Sequence, residues 1–392
     1  MRRLITLLLA AVVLSSVAST VPAAEPDYGF KFGGYFKTDA IYDNARISPG
    51  DYRIYVPAYG EEKNNEFYLS IKETRLAFDF WWDEEDFKTT AKLEFDLYGL
   101  SAAHNKAQMM VRLAYVRMTG ENWAFLAGQT WDIISPLNPG TVNYSVLWGQ
   151  GNIGYRRPQL RFTASAVPAE KTSLRFDAGV TRNIGLDLDD DGINDGADAG
   201  FPTLQGRLGL DAPLLDAGKI GIGVSGHYGS STWGPEDSLS VDSWSANVDL
   251  IVQPTAKFAL LGEFFTGENL GQYLGGALQS VNPVGDPLPS MGGWGMVRII
   301  PTGRVILNFG YGFDDPDDEE WIVPDDGEAY TLRDMNSEFF GNVMYGITDN
   351  VQAMFEIAWM NTEYLTRTFG GDPLTDEFDA LRFQVAVKAA IR

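Results

Sequence analysis

Apolar and polar residues alternate one for one in many separate runs of the chain. Residues 31–43 place Phe32, Phe36, Ala40 and Tyr42 on one parity and Lys31, Lys37, Asp39 and Asp43 on the other. Residues 91–98 set Ala91, Leu93, Phe95 and Leu97 against Lys92, Glu94, Asp96 and Tyr98. Residues 381–392 set Leu381, Phe383, Val385 and Val387 against Arg382, Gln384 and Lys388. A repeat of two marks β-strands with one apolar and one polar face. Sixteen such runs are centred near Phe36, Phe78, Phe95, Leu113, Leu126, Phe162, Phe176, Leu208, Ile222, Val248, Gly262, Met296, Phe309, Gly341, Phe355 and Val385. Around Leu113, Leu126 and Met296 the parity reads either way. Several runs have the length of tilted membrane strands, about 9–11 residues.

The connections alternate in length. Short turns fall at residues 82–88, 118–121, 167–171, 212–218, 253–256, 301–303 and 346–350. Between them lie long polar loops at 43–65, 99–106, 131–155, 182–202, 230–242, 267–291, 314–331 and 362–377. Short turns on one side and long loops on the other are the habit of outer-membrane barrels, as is an even strand count. The expected fold is all-β, a 16-stranded antiparallel transmembrane β-barrel. Trp and Tyr near strand ends (Trp81, Trp82, Trp123, Trp294, Trp359, Tyr364) suit two interfacial girdles. Charged residues on the polar parity are costly against lipid and belong in a polar lumen. A barrel of this size leaves an aqueous channel unless something plugs it.

Composition narrows the rest. The 392 residues include no cysteine and two histidines, which removes disulfides, thiol chemistry and multi-histidine metal centres. Thirty basic residues against 53 acidic ones give a net charge of −23, which argues against nucleic acid as a partner. Met1, Arg2 and Arg3 open an apolar stretch that ends in Val21, Pro22, Ala23 and Ala24, the pattern of a signal peptide cleaved near Ala23 or Ala24. The expected organisation is a signal peptide over 1–23 and one barrel domain over 24–392. No later apolar run is long enough for a membrane helix. The expected location is the outer membrane of a Gram-negative bacterium, amid lipid and lipopolysaccharide.

The ordered segments 34–43, 73–76, 126–131, 157–162 and 308–316 resemble those of the DcaP-like trimeric porins. The resemblance implies a homotrimeric outer-membrane porin, a third loop folded into the channel, and a bias toward small anionic solutes such as dicarboxylates. It implies no reaction and no required cofactor.

Several constellations bear on that expectation. The loop at 131–155, with Asp132, Asn143, Tyr144, Trp148 and Asn152, is the candidate constriction. A basic set, Arg75, Arg112, Arg156, Arg157, Arg161, Arg175 and Arg207, falls on or beside lumen parity, with Asp79, Glu94 and Asp96 among it. Guanidinium groups left free would select anions; paired with those acids they would make a charge-balanced wall. Asp187, Asp189, Asp191, Ile193, Asp195 and Asp198, with Gly192 at the turn, have the spacing of a calcium loop. The acidic run from Asp314 to Glu320 reads as a solvated loop or a divalent-cation bridge to lipopolysaccharide. His227 follows Ser225 by two, without a hydrolase motif around it, so no enzyme is expected. Two other readings stand beside the porin: a barrel that acts as a surface-binding or adhesion protein through its long acidic loops, and a soluble exported β-rich binding protein.

Overall fold

The computed structural model describes residues 27–59, 63–100, 106–185, 194–215, 218–233 and 239–391. The signal-peptide residues and most of the calcium loop lie outside them. The strands are β1 (Asp27–Asp43), β2 (Glu66–Ser70), β3 (Arg75–Asp83), β4 (Lys88–Asp96), β5 (Met110–Thr119), β6 (Trp123–Trp131), β7 (Arg156–Ala169), β8 (Thr172–Thr181) and β9 (Thr203–Leu214). They continue as β10 (Gly218–Trp233), β11 (Leu239–Thr255), β12 (Phe258–Glu268), β13 (Pro289–Thr302), β14 (Val305–Pro316), β15 (Ala329–Gly346), β16 (Val351–Thr368) and β17 (Leu374–Ile391). Neighbours pair antiparallel, and β17 returns to β1 from Gly34↔Ile391 to Asp43↔Arg382, which closes the sheet. β2 and β3 lie end to end along β1, with Ser70 opposite Asp39 and Arg75 opposite Tyr35. Residues 71–74 form a bulge between them, so the wall has sixteen staves. Each of the sixteen expected centres falls within a strand.

The faces follow the alternation. Phe36, Phe162, Val224, Phe309 and Val385 point outward and are about half exposed around the whole wall. Lys37, Asp177, Asn247, Glu263 and Glu356 point inward and are buried. A soluble protein does not leave such an apolar belt in water, whereas a bilayer covers it, so the soluble reading is set aside. Two of the ambiguous parities have local causes. On β5 a bulge opposite Glu94 and Phe95 turns both Arg112 and Leu113 inward. On β13 the inward residues Trp294 and Met296 are apolar because a loop packs on them.

The eight connections at one rim are here L1 (44–65), L2 (97–109), L3 (132–155), L4 (182–202), L5 (234–238), L6 (269–288), L7 (317–328) and L8 (369–373). Three expected loops are shorter than the sequence suggests. Much of 230–242 and 362–377 is strand, because β10 and β11 stay paired up to Trp233↔Leu239 and β16 and β17 up to Thr366↔Leu374. Residues 314–316 likewise belong to β14. These polar stretches hold their strand geometry mainly through the ladder, with single buried apolar residues such as Val241 and Leu365. L4 carries a one-turn helix α1 (Asp195–Asp198) capped by Asn194, and L6 carries two short 3-10 turns. Among the described residues there is no central apolar core. Five small clusters sit instead where loops meet the inner wall, for example Ala45, Ile47 and Val56 of L1 on Met360 and Ala380.

Candidate functional site

L3 folds into the barrel and crosses its inner wall. The wall's side chains satisfy its backbone amides in sequence. Ile133 N donates to Gln205 Oε1 (2.7 Å), Leu137 N to Glu263 Oε1 (2.7 Å), and Val142 N and Asn143 N to the Glu356 carboxylate (2.7 and 3.1 Å). Lys37 Nζ donates to the Val142 carbonyl at 2.7 Å. An irregular loop buried this deeply needs such partners, since unpaired amides away from water are costly. The ends of L3 are tied together by Asp132, whose carboxylate accepts from Tyr155 N (2.9 Å) and Gln205 Nε2 (2.8 Å) and lies 2.9 Å from Arg157 Nε.

Four of the five expected loop residues are thus anchors. Asp132, Asn143, Trp148 and Asn152 are buried beneath or within L3; Tyr144 is half-exposed. The edge turned to the lumen is Ser135 to Thr141, with Pro136 and Asn138 most exposed, followed by Tyr144. Glycine-rich β13 and β14 let L3 lie at backbone contact. Gly151, at φ +104°, rests on the carbonyls of Gly293 and Phe313.

The basic residues divide into two classes. Arg112 reaches Glu94 (2.9 Å), Asp96 (2.5 Å) and the Tyr144 hydroxyl. Arg157 meets Asp132, Arg175 meets Asp177 (2.7 Å) and Arg207 meets Asp249 (2.7 Å). Those four are balanced, as is Asp79 with Lys92 at 3.0 Å. Arg75 shares Glu94 at 3.6 Å and lies over the rings of Tyr35 and Tyr144. Arg156 is buried between Trp131 and Tyr155, and Arg161 bonds to Gln159 Oε1 and the Trp131 carbonyl. Neither has a carboxylate within 4.0 Å among the described residues. Arg161 lines a recess of about 150 Å³ with Ser135, Pro136 and Asn138 of the L3 edge.

Several inward charges were not singled out from the sequence. Arg298 lies beside Gly140 and donates to Asn308 Oδ1 (3.0 Å), and Lys388 stands over Tyr35. Lys388 sits on the polar parity of its run, which was the available signal; Arg298 shares its parity with the apolar Trp294 and Met296, so alternation gave none. Arg53 had none, because it lies in L1. Its guanidinium is fully buried against Glu338 (2.8 Å) and Glu356. Burial works against the Arg53 charge, but Glu338 and Glu356 outweigh it and hold the group protonated above its ordinary range. His227 bonds Ser245 Oγ (2.7 Å) and Ser243 Oγ (3.0 Å) and stacks on Tyr273; Ser225 accepts from Ser135 N instead. Of the calcium-loop positions, Asp195 is buried and Asp198 half-buried in α1; the others lie outside the described residues.

No family model matches the chain, and no curated protein matches it. Solved structures do. The chain is similar to the outer membrane channel DcaP of Acinetobacter baumannii, with a TM-score of 0.69 and 17% identity over 93% of this chain and 97% of that one. It is similar to an anion-selective porin from Comamonas acidovorans (TM-score 0.58, 10% identity, 93% of this chain and 100% of that one). It is also similar to the trimer form of OmpT from Vibrio cholerae (TM-score 0.55, 10% identity, 93% and 99%). At these identities the likeness establishes the fold, the sixteen-stranded barrel of outer-membrane porins.

Proposed function

We propose that the protein is an outer-membrane porin that passes small hydrophilic solutes by diffusion and favours anions of the dicarboxylate class. The observation that carries this is the set of cations along the L3 edge that keep their charge. Arg161 stands at its base and Arg298 at its middle, neither within 4.0 Å of a carboxylate among the described residues, and Arg75 stands at Tyr144 with a share of Glu94. The carboxylates beside that edge with a cation partner are already engaged: Asp132 with Arg157, Asp96 with Arg112, and Glu94 with Arg112 and Arg75. Low-dielectric walls concentrate the remaining positive field on a passing solute. The net charge of −23 does not oppose this, because selectivity is set at the narrowest section. The trimer form of a similar barrel supports a homotrimer, and the apolar outer belt supports a place in lipid.

The test is planar-bilayer conductance of the detergent-purified barrel under a KCl gradient, with and without succinate. Steps arriving in threes, an anion-favouring reversal potential and block by succinate are expected. Cation preference would sink the anion-selecting arginines, and a folded barrel without conductance would favour the surface-binding reading. Calcium held by residues 187–198 would order L4 without touching the channel. Chelation should then leave conductance unchanged and speed proteolysis within L4; an unchanged cleavage rate would remove calcium from the proposal.

A further inference from the structure

L3 is not alone inside the barrel. We infer that L1 is a second constriction element, and that Arg53 is the positioning residue that locks it to L3 through one shared carboxylate, Glu356. This rests on the channel reading above. Glu356 on β16 accepts from Val142 N (2.7 Å), Asn143 N (3.1 Å), Asn342 Nδ2 (2.8 Å) and the Arg53 guanidinium. Asn336 on β15 repeats the device: its Nδ2 donates to both the Ile54 carbonyl of L1 and the Gly149 carbonyl of L3. Asn143 Nδ2 donates to the Asp51 carbonyl at 2.8 Å, a direct bond between the loops. Arg382 on β17 binds Asp43 through two 2.7 Å bonds and also donates to the Gly50 (2.7 Å) and Asp51 (3.0 Å) carbonyls.

Residues 44–59 of L1 therefore cover the inner faces of β15 to β17 as a layer one chain thick. On the side away from those strands, the ring of Tyr52 packs on Tyr98 at 4.4 Å, Trp148 at 6.1 Å and Tyr144 at 6.3 Å. Tyr144 is the L3 residue against which Arg75 and Arg112 stack. Tyr52 thus backs the aromatic and arginine edge of the channel, and the channel is displaced toward the opposite wall.

The chain has no cysteine, so single cysteines can be placed without background. The experiment measures single-channel conductance of Arg53→Ala, Arg53→Lys and Tyr52→Cys, with folding followed by heat-modifiable migration. Arg53→Ala should raise conductance about two-fold or more, with Arg53→Lys close to wild type, because lysine keeps the charge between Glu338 and Glu356. Tyr52→Cys labelled with a bulky thiol reagent should lose about a third or more of its conductance. A folded Arg53→Ala barrel with wild-type conductance, or a fully labelled Tyr52→Cys barrel with unchanged conductance, overturns the inference. If Arg53→Ala does not fold, the labelling result decides alone. A wild-type barrel that conducts nothing sinks the channel reading and this inference with it; a conducting wild type with unaltered variants sinks only the inference.

Discussion

Arg161 and Arg207 both point inward, yet their surroundings assign them different work. Arg207 is held by Asp249 through two bonds of 2.7 and 2.9 Å, so the pair presents almost no net field. Arg161 is held by neutral oxygens and keeps its charge for the lumen. Arg161→Gln should therefore move the reversal potential toward cations, about halving the anion-to-cation permeability ratio. Arg207→Gln should move it less but lower the unfolding temperature, because a buried carboxylate losing its partner costs about 3 kcal/mol or more. Equal potential shifts from both variants would count against this division. Glu263 makes a second residue-scale case. It accepts from Leu137 N and Trp294 Nε1, and Glu263→Ala leaves both donors buried without partners, at about 1–3 kcal/mol each. Thermal unfolding in detergent should show a clear loss, much of it recovered by Glu263→Gln, whose amide oxygen can still accept.

At the scale of elements, the informative feature is how a loop without periodicity is held against a wall. L3 rests on glycine backbone at β13 and β14, and Gly151 has a positive φ of +104° with the Gly293 and Phe313 carbonyls beneath it. A Cβ there has neither the backbone conformation nor the room. Gly151→Val should leave the barrel folded but lift L3, giving higher and noisier single-channel conductance and faster proteolysis inside the loop. Quiet, wild-type traces would show that L3 does not need this contact. Strand identity was legible because alternation is local; strand ends were less so. β16 and β17 run into largely polar sequence beyond Asn361, where cross-strand hydrogen bonds keep the geometry and only isolated apolar residues such as Leu365 are buried, beneath loop residues. The bulge that turns Arg112 and Leu113 to the same side erases parity at the place where it would be read. The expected channel-facing loop residues were mostly anchors for a similar reason: polar residues in L3 serve its own buried backbone before they serve a solute.

The whole molecule depends on one closure. β1 and β17 lie at opposite ends of the chain and share a ladder from Gly34↔Ile391 to Asp43↔Arg382. Removing residues 381–392 deletes the β17 side of that ladder and leaves two open edges in an apolar sheet. No heat-modifiable folded species should form; a folded band from the truncated chain would show that closure is not required. The sequence by itself determined the barrel, its sixteen staves and, outside the stretches around Leu113, Leu126 and Met296, which side chains face lipid or lumen, because each of these follows from a repeat of two read over about ten neighbouring residues. Only the tertiary structure decided which arginines remain free and which loops enter the lumen. Arg53 and Glu356 are 303 residues apart, and Asn143 and Gln384 are 241 apart. Such pairings arise only when closure brings distant staves and loops into one enclosed space, where every buried charge and amide must find whatever partner stands across from it.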